Sequence, residues 1–398
     1  MGQQTSRAVF DGVLTKTHVE HALVQQDGQH NDLPLALATL LFLDGTPAMF
    51  HRLYELRKDR FSSWVPSPGS ITDASTKLRF LGDTRFQRAF MTFFSMENGT
   101  FGGNSKALAV MEFFNGPKPL LYGLFSGSSM PLALLSNGLE LRSSVLVVQS
   151  LTLAAVEWSE PIFEILGHPQ LSRPACELLP PEEIIRRVAY DGRFSGVMKS
   201  GPGYHGVANI FSNASSKTAI VEYIQQLDIR NISQVMPQLS QLAVLLLCGT
   251  HKPNFPAFDL YLSHIVTCIN STRVILASLE DSSHRILLVR GVWLFILLLY
   301  ITQLRPVTDM SLVLSTELPE GKVWDMIHTD FVHCGVSTGK YGDVSLLRVL
   351  RSLWELDKAY GSIHGKIYTK AAWKLVNQWQ TWTGLGGGDR EGTLNIRL

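Results

Sequence analysis

HNDLPLALATLLFLDGTP, residues 30–47, decides the fold class of this chain. Asn31 and Asp32 are good helix-cap types, Pro34 sits near the first turn, and residues 33–43 form an apolar run. Asp44-Gly45 stops that run. Thr46 then caps a second helix that starts at Pro47 and runs to about residue 59. Working outward, the same helical periodicity predicts helices at about 84–96, 104–115, 143–157, 182–190, 217–227, 232–248, 257–278, 283–304, 343–360 and 367–381. Alternating strand patterns bounded by Asn-Gly or Asp-Gly turns are nearly lacking, and no fixed-period repeat is found. The expected fold is all-α: one large multi-helix domain, with two lobes around a central apolar pocket allowed. The expected limits are an N-terminal segment 1–17, the helical domain 18–381 and a flexible tail 382–398. Residues 167–181 are the softest place for a division.

Composition narrows the function classes. The chain has 398 residues, 45% hydrophobic and only 17% charged, with a net charge of +1. That length buries a large core, and the low charge content points to an apolar interior, an apolar cavity or a buried interface. No basic field exists to recruit nucleic acid. The four cysteines, Cys176, Cys248, Cys268 and Cys334, form no CxxC pair, so neither a disulfide framework nor a zinc knuckle is expected. The first residues, MGQQTSRAVFDGVL, lack a signal-peptide core; they fit the short N-myristoylation pattern with Gly2 and Ser6. The sequons at Asn98, Asn213, Asn231 and Asn270 then carry no weight. The apolar run 291–301 is shorter than the ~20 residues a membrane span needs and reads as a buried core helix. A soluble, cytoplasmic protein without a transmembrane segment is expected.

Each local constellation has a plain reading. His18 and His21 sit three apart and would share a helix face, where a solvated surface is favoured over a metal site. His264 and Cys268, four apart on an apolar helix that starts near Asp259, read first as core residues and only second as a nucleophile pair. His328, Asp330, His333 and Cys334 have awkward offsets for one metal. His205, in GPGYHG, reads as surface loop. The glycine clusters match neither a phosphate-cradling loop nor a dinucleotide fingerprint, and no nucleophile elbow, HExxH or EF-hand motif is present.

Taken in order, five segments resemble the questin oxidase-like family of fungal secondary metabolism. They are residues 30–47, then LRFLGDTRFQRAFMTFFSMENGTFGGNSKALAVMEFFNG (78–116) and LFSGSSMPLALLSNGLELRSSVLVVQSLTLAAVEW (124–158). FDLYLSHIVTCINS (258–271), followed by a helix ending LYITQLRP, and YGDVSLLRVLRSLWELDKAYG (341–361) complete the set. His30, Asn31, Pro131, Gly138, Glu140, His264, Arg305, Arg348 and Tyr360 fit the family pattern. The resemblance implies oxygenases of polyketide aromatics that use a non-haem iron held by histidines and a lysine-derived ligand. Here Asp32, Leu35 and Ala36 replace histidines of the first segment, and Met130 and Leu134 replace two more. Asp343 and Leu346 stand for a histidine and the lysine.

Only His30 and His264 survive of the ligands carried over, with Asp32 and Asp343 as remaining carboxylates. Iron needs several converging N or O donors. The leading expectation is therefore a cofactor-independent biosynthetic enzyme, a cyclase or isomerase of pericyclase type, for example catalysing a [4+2] cycloaddition. Its substrate is a hydrophobic terpenoid or polyketide intermediate held in an apolar pocket by Leu35, Met130, Leu134 and Leu346. His264, His30, Asp32 and Asp343 are the catalytic candidates. The alternatives are an iron-dependent oxygenase of Baeyer–Villiger or ring-cleaving type and a non-catalytic metabolite-binding pseudoenzyme. His264→Ala is expected to lower turnover more than stability, read as kcat against Tm; an unaltered rate in a folded variant removes His264 from the mechanism.

Overall fold

A computed structural model describes residues 2–173, 175, 177–199, 201–251, 255–334 and 343–385. Cys176, Tyr341, Gly342, residues 386–398 and the side chains of His333 and Cys334 lie outside them. The fold is all-α, as the sequence predicts: 20 α-helices and two three-residue strands among the described residues. The chain divides into two compact units. The first is Met1–Glu160, Ser271–His284 and His328–Arg351; the second is Pro161–Asn270, Arg285–Ile327 and Ser352–Leu398. The first changeover falls at Glu160, ahead of the 167–181 segment.

The first unit is built around the helix Ser144–Val156. Every residue from Leu146 to Val156 is buried, so this helix has no solvent face along that stretch. Two of its polar members donate to backbone carbonyls: Thr152 Oγ1 to Val148 O (2.8 Å) and Ser150 Oγ to Pro131 O (2.7 Å). Two glycines let other backbone press against it. A Cβ on Gly123 would stand 1.9 Å from Ala154 O, and one on Gly138 would stand 2.8 Å from Val147 Cγ2. Gly138 belongs to the helix Met130–Leu141, which the periodicity did not delimit. Its flanks, Ser129 (φ 52°) and Arg142 (φ 51°), are left-handed non-glycine residues that carry no helix-end signal in the sequence.

The helix Leu33–Phe42 is buried continuously from Leu33 to Leu40, which explains its unbroken apolar sequence. Leu43 and Asp44 (φ 56°) end it, and Gly45 is packed so tightly on Leu40 that a Cβ would lie 2.5 Å from Leu40 Cγ. Residues 2–17 of the expected N-terminal segment lie in a helix, Gly2–Glu20, whose Phe10, Val13, Leu14 and Thr17 are buried. Phe10 meets Phe50 edge-on at 6.0 Å between ring centres. This helix ends at Glu20, so His18 and His21 do not share a helical face as expected; His21 lies past the end and bridges Ser63.

The helix Ser282–Thr302, which belongs to the second unit from Arg285 on, runs buried from Leu288 to Thr302, Arg290 excepted. At 21 residues it is the one helix among the described residues long and apolar enough to cross a membrane, and most of it is buried in the protein core. Trp293 Nε1, midway along the helix, donates to Tyr223 O (3.0 Å), and Arg305 Nη1, just beyond its C-terminus, donates to Asp191 O (2.8 Å). The stretch expected as one helix over 257–278 begins as a strand, Ala257–Asp259, before the helix Leu260–Leu276. Its partner is Thr381–Thr383, in parallel register with Phe258 opposite Trp382. The start of the expected flexible tail is thus paired backbone, because Pro256 O also accepts from Gln380 N (2.8 Å).

Two substitutions test this packing. Phe10→Ala should cost about 3–5 kcal/mol by opening a cavity, and Gly123→Ala about 1–3 kcal/mol or more by overpacking. Chemical denaturation of each variant measures both, and a neutral Phe10→Ala would detach the first helix from the core.

Candidate functional site

The polar site of the first unit forms where the start of the helix Leu33–Phe42, the end of the helix Ser144–Val156 and the backbone at Gly127 meet. The helix Ser144–Val156 ends at Glu157, and its carboxylate Oε1 pairs with His30 Nε2; the two side chains are 13% and 14% exposed. Gly127 (φ 56°) lies against the pair: a Cβ there would stand 2.7 Å from His30 Cε1 and 3.1 Å from both Glu157 oxygens. Only glycine allows that approach in that conformation. Burial pushes the His30 imidazole down, but the charge and hydrogen bond of Glu157, with the charge of Asp32, outweigh it and hold the ring above its ordinary value.

Asp32 stands at the start of the helix Leu33–Phe42, yet its side chain does not cap it. Asn31 Oδ1 takes that part, accepting from Leu33 N (3.1 Å). The Asp32 carboxylate is freed for Arg57, whose Nη2 reaches both oxygens at 2.7 and 2.8 Å. Asp32 also acts on Arg348, from the helix Val344–His364. Burial lowers that guanidinium to about 10, with the Asp32 charge opposing. Arg348 is therefore a cation at neutral pH.

The other expected site residues are placed as follows. Leu35, Leu134 and Leu346 are fully buried and Met130 is nearly so, all as core side chains of the first unit. Asp343 Oδ1 accepts from Leu346 N (2.8 Å), a capping contact at the start of the helix Val344–His364. His264 belongs to the second unit, buried on the helix Leu260–Leu276, with its ring 6.1 Å from that of Tyr261. The structure thus brings His30 and Asp32 together and adds Glu157 and Arg57, which sequence reasoning missed. Glu157 stood in a quoted family-like segment, but nothing in the spacing pairs it with a residue 127 positions away.

The fit to a non-haem iron can be judged from the donors. Among the described residues no three His, Cys, Asp or Glu side chains group to hold a metal. His30 Nε2 is engaged by Glu157 and Asp32 by Arg57. The cations Arg57 and Arg348 would repel a metal dication, and Met130, Leu134 and Leu346 supply no N or O donor. This set does not fit the iron site that the resemblance implies.

A family model for questin oxidase-like proteins matches residues 29–353. The chain belongs to the questin oxidase-like family. No curated protein matches it. Membership in the questin oxidase-like family suggests an enzyme of fungal secondary metabolism. The match begins one residue before His30 and ends five after Arg348, so it spans the whole polar site of the first unit.

The second unit holds a buried carboxyl, Asp259, whose pKa is raised. Asp259 Oδ1 accepts from Leu262 N (2.9 Å), and Oδ2 receives the Gln303 amide at 2.8 Å with the amide nitrogen turned toward it. Burial raises this carboxyl from 3.8 to about 7, against the backbone hydrogen bonds of Leu262 and Tyr261. A raised carboxyl contributes fully below its unfolded value and loses that contribution as pH rises through the folded value. Asp259→Asn should therefore raise Tm above pH 7 relative to the parent and give no gain near pH 4. A gain of equal size at both pH values would contradict the raised carboxyl.

Proposed function

We propose that the chain catalyses a redox-neutral isomerisation or cyclisation of a hydrophobic polyketide or terpenoid intermediate that carries a carbonyl group. The reaction needs no metal, and the His30–Glu157 pair is its acid–base centre. That pair, packed against Gly127 and only about one-seventh exposed, is the observation that carries the reading. Glu157 holds Nε2 and favours the imidazolium, which leaves Nδ1 as the position for proton exchange.

The imidazolium passes its Nδ1 proton to the substrate carbonyl oxygen as the carbonyl π pair moves onto that oxygen. The neutral ring then takes a proton from the α-carbon, giving the enol and restoring the imidazolium. No electrons leave the substrate, and the activated enol or protonated carbonyl is the species that cyclises. Glu157 stays charged throughout and orients the ring. The remainder of the barrier falls by holding an apolar chain in a reactive conformer, which is worth several kcal/mol in well-oriented systems. The partner is a hydrophobic small molecule, and the reading takes the cytoplasm as the location.

The second reading, an iron-dependent oxygenase, is supported by family membership and opposed by the donor set around His30. Deuterium uptake at the α-carbon of 1-tetralone in D2O, followed by NMR under nitrogen with EDTA, separates the two. Uptake should exceed buffer, and His30→Gln and Glu157→Gln should each slow it by about 10²–10⁴-fold. Unaltered rates in the folded variants would sink the acid–base reading. Turnover that appears only with ferrous iron and consumes oxygen would establish the oxygenase, and binding without uptake would leave a carrier.

A further inference from the structure

Four buried polar atoms around His30 and Asp32 have no hydrogen-bond partner among the described residues: Arg348 Nη2, Arg57 Nε, Glu157 Oε2 and Ser126 Oγ. Ser126 precedes Gly127, the residue pressed against the His30–Glu157 pair. Folded proteins leave few buried polar groups unpaired, and a cationic one is the costliest to leave so. Asp32 acts on Arg348 only through its charge: both Asp32 oxygens accept from Arg57 Nη2, and Arg348 Nη2 donates to neither.

The charges are uneven as well. The basic side chains Arg57, Arg348 and His30 outnumber the two carboxylic side chains Asp32 and Glu157. His30 is paired with Glu157 and Arg57 with Asp32, so Arg348 carries the surplus positive charge. A guanidinium with a free Nη2 offers a planar donor edge that matches a carboxylate, and poorly screened surroundings strengthen that contact.

We infer that Arg348 binds a carboxylate carried by the hydrophobic substrate, which makes the substrate of this site an apolar carboxylic acid. This rests on the reading of the His30–Glu157 cluster as the active site. Arg348 then positions the acid end of the molecule, while the carbonyl to be activated lies toward His30. A neutral amide or ester of the same skeleton lacks the charge to replace the missing partner.

The test uses 2-naphthoate and 2-naphthamide, which share one apolar ring system and differ in charge, titrated calorimetrically into the full chain. The parent should bind the acid about 10- to 100-fold more tightly than the amide, the range for one charge-assisted hydrogen bond. Arg348→Met should remove that gap, and Arg348→Lys should keep only part of it. His30→Gln should preserve it. Equal affinity of acid and amide in the parent, a result that needs no variant, would overturn the inference. An undiminished gap in folded Arg348→Met, or a gap lost in His30→Gln but kept in Arg348→Met, would overturn it too. The two readings separate cleanly: a persistent acid preference without tetralone exchange leaves the carboxylate subsite and removes the acid–base centre, and the converse removes only the subsite.

Discussion

Everything in the first unit depends on one helix that has no solvent face along most of its length. Between Leu146 and Val156 the chain is enclosed on all sides, and Gly123 and Gly138 bring neighbouring backbone into direct contact with it. A helix packed at interior density cannot slide or rotate without opening voids or forcing overlaps. Its C-terminal residue therefore has a defined place. That residue is Glu157, and the place is against His30.

The polar cluster exists because of a division of labour at the start of the helix Leu33–Phe42. Asn31 caps the helix, so Asp32 is spared for Arg57. Had Asp32 capped the helix instead, its carboxylate would be turned toward the backbone N–H groups and away from the bidentate contact with Arg57. In a low-dielectric setting each ion pair is strong and each unpaired ion is costly. An unpaired guanidinium nitrogen at Arg348 is therefore a feature that folding alone does not favour, and functional sites are where such local conflicts are expected.

The second unit follows the same packing logic in another form. The helix Ser282–Thr302 is apolar over most of its length because most of it is interior, and Trp293 within it and Arg305 just past it donate to backbone carbonyls. The sequence run 291–301 already identified a core helix; the burial that begins at Leu288 lengthens it. The strand pair Ala257–Asp259 and Thr381–Thr383 was invisible in the sequence, since three residues are too few to show a period. The first helix was legible in principle, with Phe10, Val13, Leu14 and Thr17 at helical spacing, but its polar remainder hid it.

By itself the sequence determined the helical class, most helix limits and the family, because 3.6-residue apolar periodicity and ordered local motifs are properties of adjacent residues. Only the tertiary structure decided which polar groups meet. The partnership of His30 with Glu157, the diversion of Asp32 to Arg57 and the unpaired edge of Arg348 join residues from distant parts of the chain. Their proximity follows from how buried helices pack, and packing geometry is not written in any local pattern.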